Sequence, residues 1–206
     1  SKYQWGASLV GLSGEVRQGL NELQQVIVYG EKFPDFEFKE EVQVVYGMLL
    51  LFTGNKDLKD WSVLNKTLLD VTKSPMAAYI LAKKYISIGE NRKAIHILNQ
   101  YPTTAEFYRF PYLEIMKGNA KLYNLDFKAE THFTKFLSIY SGVNGVKEAC
   151  QKLAWLHLLK NDESQYHYYM ELVETKGGNN TSEDRSAMNH LREKNNYILP
   201  NKSLLK

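Results

Sequence analysis

Residues 74–102 read SPMAAYILAKKYISIGENRKAIHILNQYP. Ser74 followed by Pro75 is a helix start: the hydroxyl can accept from an orphan N–H, and proline fits the first turn, where its missing N–H costs nothing. Apolar residues then recur at helical spacing as far as Ile88. Gly89-Glu90-Asn91 breaks the pattern, and a second helix over 91–100 puts Ala94, Ile95 and Leu98 on one face. The spacing predicts two antiparallel helices joined at Gly89, with that glycine in the left-handed conformation that glycine adopts at least cost.

The same turn signal recurs on both sides. Gly54, Gly89, Asn124 and Asn161 are separated by 35, 35 and 37 residues. A period near 34 with two helices per period marks stacked helical hairpins, because one hairpin cannot hide its apolar surface alone. The predicted helices run over 14–29 (capped by Ser13 and stopped by Gly30), 39–52, 57–72 (capped by Asp57), 75–88, 91–100, 106–123, 127–140, 145–159, 162–175 and 182–194. Apolar residues nearly all round the helix over 39–52 predict its burial on more than one side. Asp162 with Gln165 three residues later resembles a capping box. The five prolines, Pro34, Pro75, Pro102, Pro111 and Pro200, all fall near these boundaries, as an interior proline would break a helix. The expected architecture is all-α: one domain over 1–206, an α-solenoid of about ten helices. Its units lie near 39–73, 74–105, 106–142 and 143–176, with irregular ends.

Residues 74–102 resemble a tetratricopeptide repeat. Leu81, Ala82 and Tyr85 stand where that motif has a large, a small and an aromatic residue. Gly89 sits at its turn, Ala94 and Leu98 at its contacts on the second helix, and Pro102 near its closing proline. Tyr46-Gly47 supplies the large–small pair of the preceding unit, although Lys59 stands where its second helix has alanine. Gly118, Ala120, Ala129 and Phe133 match in the third unit, with about one residue missing from the turn. Leu153-Ala154 match in the fourth, where Tyr166 replaces the small residue. The segments LEIMKGNAKLYNLDF and KLAWLHLLKND also look like bacterial proteins of this kind.

The resemblance implies a non-catalytic scaffold whose first helices line a concave groove for a peptide or protein segment. It makes the solenoid right-handed and places Tyr79, Lys83 and Ile86 in that groove, then Tyr112, Ile115, Asn119 and Tyr123, then Gln151, Trp155 and Leu158, with Val44, Met48 and Leu51 in the first unit. The lysine–asparagine clamp that some members use for a terminal carboxylate is represented only by Asn119, so no such clamp is expected. The competing reading of these positions is inter-repeat packing, since aromatics at helical spacing usually pack. The alternative function is carbohydrate binding through Trp155 and the tyrosines of the Tyr166-His167-Tyr168-Tyr169 cluster.

Composition narrows the rest. Charged residues make up 24% and the formal charge is +3, with no basic run longer than Lys83-Lys84, so nucleic-acid binding is not expected. The longest apolar run, Val44 to Phe52, is well short of the roughly 20 residues that cross a bilayer. The single Cys150 excludes an intramolecular disulfide and reads as a small buried hydrophobe. The five histidines lack HxxxH or HExxH spacing, and no paired-carboxylate, nucleophile–base or phosphate-loop pattern occurs. No metal, cofactor or enzymatic activity is therefore expected. His157 and His167 lie on successive predicted helices and could approach one another. The compartment, bacterial periplasm or cytoplasm, stays open.

Overall fold

The computed structural model describes residues 15–55, 57–66, 69–102 and 109–192. Ser13, Leu68 and Pro200, which bounded or filled predicted helices, lie outside them. Among the described residues the chain is all-helical, with ten helices and no strand. They are α1 (Val16–Lys32), α2 (Lys39–Phe52), α3 (Leu58–Lys66), α4 (Pro75–Ser87), α5 (Asn91–Gln100), α6 (Tyr112–Tyr123), α7 (Ala129–Ile139), α8 (Val146–Leu159), α9 (Glu163–Thr175) and α10 (Ser182–Arg192). The chain forms two compact units, Ser1–Asp70 and Val71–Lys206.

The first unit holds α1, α2 and α3. Gly30 is not the stop expected of it: α1 continues to Lys32 and is capped at Phe33. A side chain at Gly30 would meet the Phe36 ring at 2.9 Å, so this glycine is there to let the α1–α2 loop close against the helix. Tyr46, fully buried on α2, reaches the Asp60 carbonyl, and Asp60 in turn accepts from Arg17 and Asn55. Two expectations fail here. Helix α2 buries only Tyr46, Gly47 and Leu50, leaving Val45 and Phe52 exposed, because within this unit only α1 and α3 can pack on it. Helix α3, with Asp57 accepting from the Lys59 N–H as expected, does not run to Thr72. Residues 71–73 form a turn, ahead of a Ser74-Pro75 pair that disfavours helix at Ser74.

The second unit holds α4 to α10. Ser74 accepts from the Ala77 N–H and Asp162 from the Gln165 N–H, as their spacing predicted. Each helix packs on the next in sequence. In addition α4 packs on α6, α6 on α8 and α8 on α10, the contact pattern of antiparallel hairpins laid side by side. Small residues set the spacing: Ala82 and Ala94 are fully buried, and a side chain at Gly118 would strike the Phe133 ring at 2.6 Å. One core cluster gathers Ile115, Leu122, Phe133, Phe136, Leu153 and Leu156. A second joins Cys150, Ala154, Tyr166, Met170, Val173 and Ala187. Fully burying a leucine or phenylalanine contributes about 1.5–3 kcal/mol, so these clusters dominate the unit's stability.

The backbone also locates the turn residues. Positive φ occurs at Gly54 (65°), Gly89 (79°), Leu125 (56°) and Asn161 (59°), so the third landmark is Leu125, not Asn124. These four positions are 35, 36 and 36 residues apart, and Gly145 (78°) and Gly177 (73°) also have positive φ.

The start of α8 is held from a distance. Asp184, fully buried near the start of α10, accepts from the Gly145 N–H at 2.7 Å and the Glu148 N–H at 3.1 Å. The Thr181 hydroxyl donates to the same carboxylate at 2.7 Å and fixes it. A carboxylate at a helix N-terminus both satisfies orphan donors and opposes the helix dipole.

Candidate functional site: the face shared by four helices

Helices α4, α6 and α8 present successive stripes to one face, and α10 supplies its far side. Lys83 on α4 donates to Glu183 on α10 at 2.7 Å, a bond between residues 100 apart in sequence. The Lys83 bond and one from Ser182 hold the Glu183 carboxyl down at about 2, against the burial that would raise it. Burial works to lower Lys83, but the Glu183 bond and the negative charge of Glu183 together raise it.

Deeper in, Asn119 on α6 donates to Glu148 Oε1 on α8 at 2.8 Å. One turn along α8, the Lys152 ammonium lies 3.8 Å from the centre of the Trp155 ring and 5.6 Å from that of Tyr123. Lys152 is only 7% exposed. Burial lowers its pKa to about 8, with the Glu148 field working in the other direction. Burial raises Glu148 above the usual carboxylate range, opposed chiefly by Lys152, and raises the Tyr123 phenol to about 12. Among the described residues no carboxylate lies within ion-pair distance of Lys152 Nζ. Two buried polar atoms here also lack partners, Asn119 Oδ1 and Trp155 Nε1. Buried polar groups are usually satisfied, so unpaired atoms beside a buried charge mark the face as unusual.

The sequence-predicted positions divide. Tyr79, Lys83, Asn119, Tyr123 and Trp155 belong to this face or its rim; Tyr79 sits one turn before Lys83, its ring edge-on to Phe110 at 5.9 Å. Gln151, 4% exposed, is paired with His190 on α10 at 3.2 Å, and His190 also meets the Trp155 ring edge-on at 5.9 Å. Tyr112 turns to the core margin, its hydroxyl bonded to that of Tyr140 at 2.9 Å and its ring against Phe136. Val44, Met48 and Leu51 are half-buried in the other unit.

Sequence reading missed Glu148, Lys152, Glu183 and His190. Glu148 and Lys152 lie seven and three residues before Trp155, on its own stripe, and could have been found by extending that stripe back along the helix. Nothing local marks Glu183 or His190, because their role depends on where α10 packs.

The histidines expected to be candidates for pairing go separate ways. His157, 8% exposed, stacks on Tyr169 at 5.4 Å between the carboxylates of Glu130 and Asp162, whereas His167 meets the Tyr166 ring edge. Among the described residues no group of three or more His, Cys, Asp or Glu side chains could hold a metal ion. Cys150 is buried, and burial pushes its thiol up to about 11. No helix among the described residues is long and apolar enough to cross a membrane. No family model, no curated protein and no solved structure matches the chain.

Proposed function

We propose that the protein is a non-catalytic interaction module, a right-handed solenoid of hairpins of tetratricopeptide type, whose α4–α6–α8–α10 face receives an extended protein segment. The observation that carries this reading is Lys152, an ammonium 7% exposed, held over two aromatic rings with no carboxylate of the described residues within ion-pair distance. Burying a cation in this way costs stability, and a protein retains such a cost most readily where a ligand makes use of it. A bound segment can offer Lys152 a main-chain carbonyl or an acidic side chain. Its N–H groups suit the free Asn119 Oδ1. The contact ladder α4–α6–α8–α10 supports the solenoid itself, since it brings alternate helices to one surface.

Carbohydrate binding has less support. One face of Trp155 carries Lys152, and His190 packs on the same ring at a steep angle, which leaves little ring for a sugar to stack upon. In the tyrosine cluster Tyr166 is buried and Tyr169 is stacked on His157, so only Tyr168, half exposed, is presented.

The test is partner capture from a lysate of the source cells, comparing the natural chain with the double variant Glu148→Gln, Lys152→Met. The glutamine side chain introduced in place of Glu148 would still accept from Asn119, so the variant removes both charges but keeps the packing. Loss of the captured proteins is expected. Identical capture by a folded double variant would remove this face from the binding account.

A further inference from the structure

The corner between α1 and α2, in the first unit, carries an aromatic cluster that its own fold does not bury. Tyr29 and Phe33 have ring centres 4.3 Å apart, Tyr29 and Phe36 5.7 Å, and Phe36 and Phe38 6.0 Å. Phe36 is the anchor, seated against Gly30, while Tyr29, Phe33 and Phe38 remain 51%, 49% and 60% exposed. A single exposed ring is ordinary; four rings touching in the order Phe33, Tyr29, Phe36, Phe38, three of them exposed, make a patch of the kind used for association.

Charge says what kind. Glu31, Asp35, Glu37, Glu40 and Glu41, all exposed, are interspersed with the rings along residues 29–41, and none makes an ion pair among the described residues. Only two lysines share this stretch, and Lys39 is tied to the Pro34 carbonyl at 2.8 Å. The acidity is local: residues 1–70 hold ten acidic and seven basic side chains, whereas the whole chain carries +3. An anionic lipid surface would be repelled. Rings flanked by carboxylates complement an apolar side chain flanked by lysine or arginine, whose cations can also lie on ring faces.

We propose that this corner docks a basic segment of a partner protein, with an apolar side chain inserted between Phe33 and Phe38 and flanking cations on the carboxylate rim. The site is built from residues of the first unit alone, and it does not depend on the face built on α4, α6, α8 and α10 binding anything.

The experiment uses the full chain and a fluorescein-labelled amphipathic peptide of leucine and lysine, read by anisotropy. Two control peptides replace its lysines by glutamate or its leucines by serine. Binding should weaken about tenfold for either control, and about tenfold for Phe33→Ser with Phe38→Ser or Glu37→Lys with Glu40→Lys, as expected for a few central contacts and rim charges. Because these side chains are exposed, both variants should keep the natural circular dichroism spectrum. The variant Glu148→Gln, Lys152→Met should bind the peptide as the natural chain does. Equal affinity of the corner variants, or of the glutamate peptide, would overturn the proposal. So would a dimer in sedimentation that Phe38→Ser dissolves, which would make a second copy the occupant, or binding to phosphatidylglycerol vesicles.

Discussion

Removing the Asp184 carboxylate should uncouple α10 from α8 at a calculable cost. In Asp184→Ala the N–H groups of Gly145 and Glu148 lose their acceptor at a position with 0% exposure, where water cannot replace it. Hydrogen bonds to a charged group contribute about 1.5–3 kcal/mol each, and a buried donor left alone costs its desolvation. The two bonds together give an expected loss of about 3–5 kcal/mol. Asp184→Asn keeps one acceptor oxygen and should lose about half as much. The assay is urea unfolding followed by far-UV circular dichroism, with calorimetry as a check; for a unit of this size the alanine variant should melt about 10–20 °C lower. Because α10 carries Glu183 and His190 to the shared face, partner capture should fall as well. A loss under about 1 kcal/mol for Asp184→Ala would refute the view that this carboxylate fixes the start of α8.

Three further outcomes follow from single residues. Gly118→Ala puts a methyl group 2.6 Å from the fully buried Phe133 ring and should cost about 1–3 kcal/mol in unfolding free energy through overpacking. Leu125 holds φ at 56° while 56% exposed, so its side chain gains little from packing; Leu125→Asn, matching Asn161, should raise stability by about 0.5–1 kcal/mol in the same assay. Glu114 is depressed from 4.5 to about 2: burial works against this, but bonds from His132 and Lys135 prevail. Its folded value lies below its unfolded one, so its contribution, about 3 kcal/mol, is complete above about pH 5 and disappears as pH falls towards about 2. Glu114→Gln should accordingly flatten the acid limb of the stability–pH curve.

Most of the second unit was legible in the sequence because its signals are local. Ser74-Pro75, Gly89 and Asp162 act within one turn of the backbone, and the stripes of α4, α6 and α8 follow from helical periodicity. Leu125 escaped because nothing in its residue type announces a left-handed turn; only the even spacing of the other landmarks hints at it. The first unit was less legible. Burial of α2 was read from its own composition, whereas burial depends on how many neighbours pack on it, and the apolar residues Val45 and Phe52 stayed outside. Of the shared face, the contributions of α4, α6 and α8 could be placed by repeat register. Glu183 and His190 could not, since a bond spanning 100 residues is a product of tertiary packing.

The central claim, that the charges in this face serve a ligand and not the fold, is tested most directly by the unfolding free energy of Glu148→Gln, Lys152→Met. Replacing buried charges together with uncharged groups of similar size is commonly neutral or stabilising by about 1–4 kcal/mol. The account predicts a double variant at least as stable as the natural chain. A loss of more than about 1 kcal/mol would contradict it, because Glu148 and Lys152 would then be part of what holds the hairpins together.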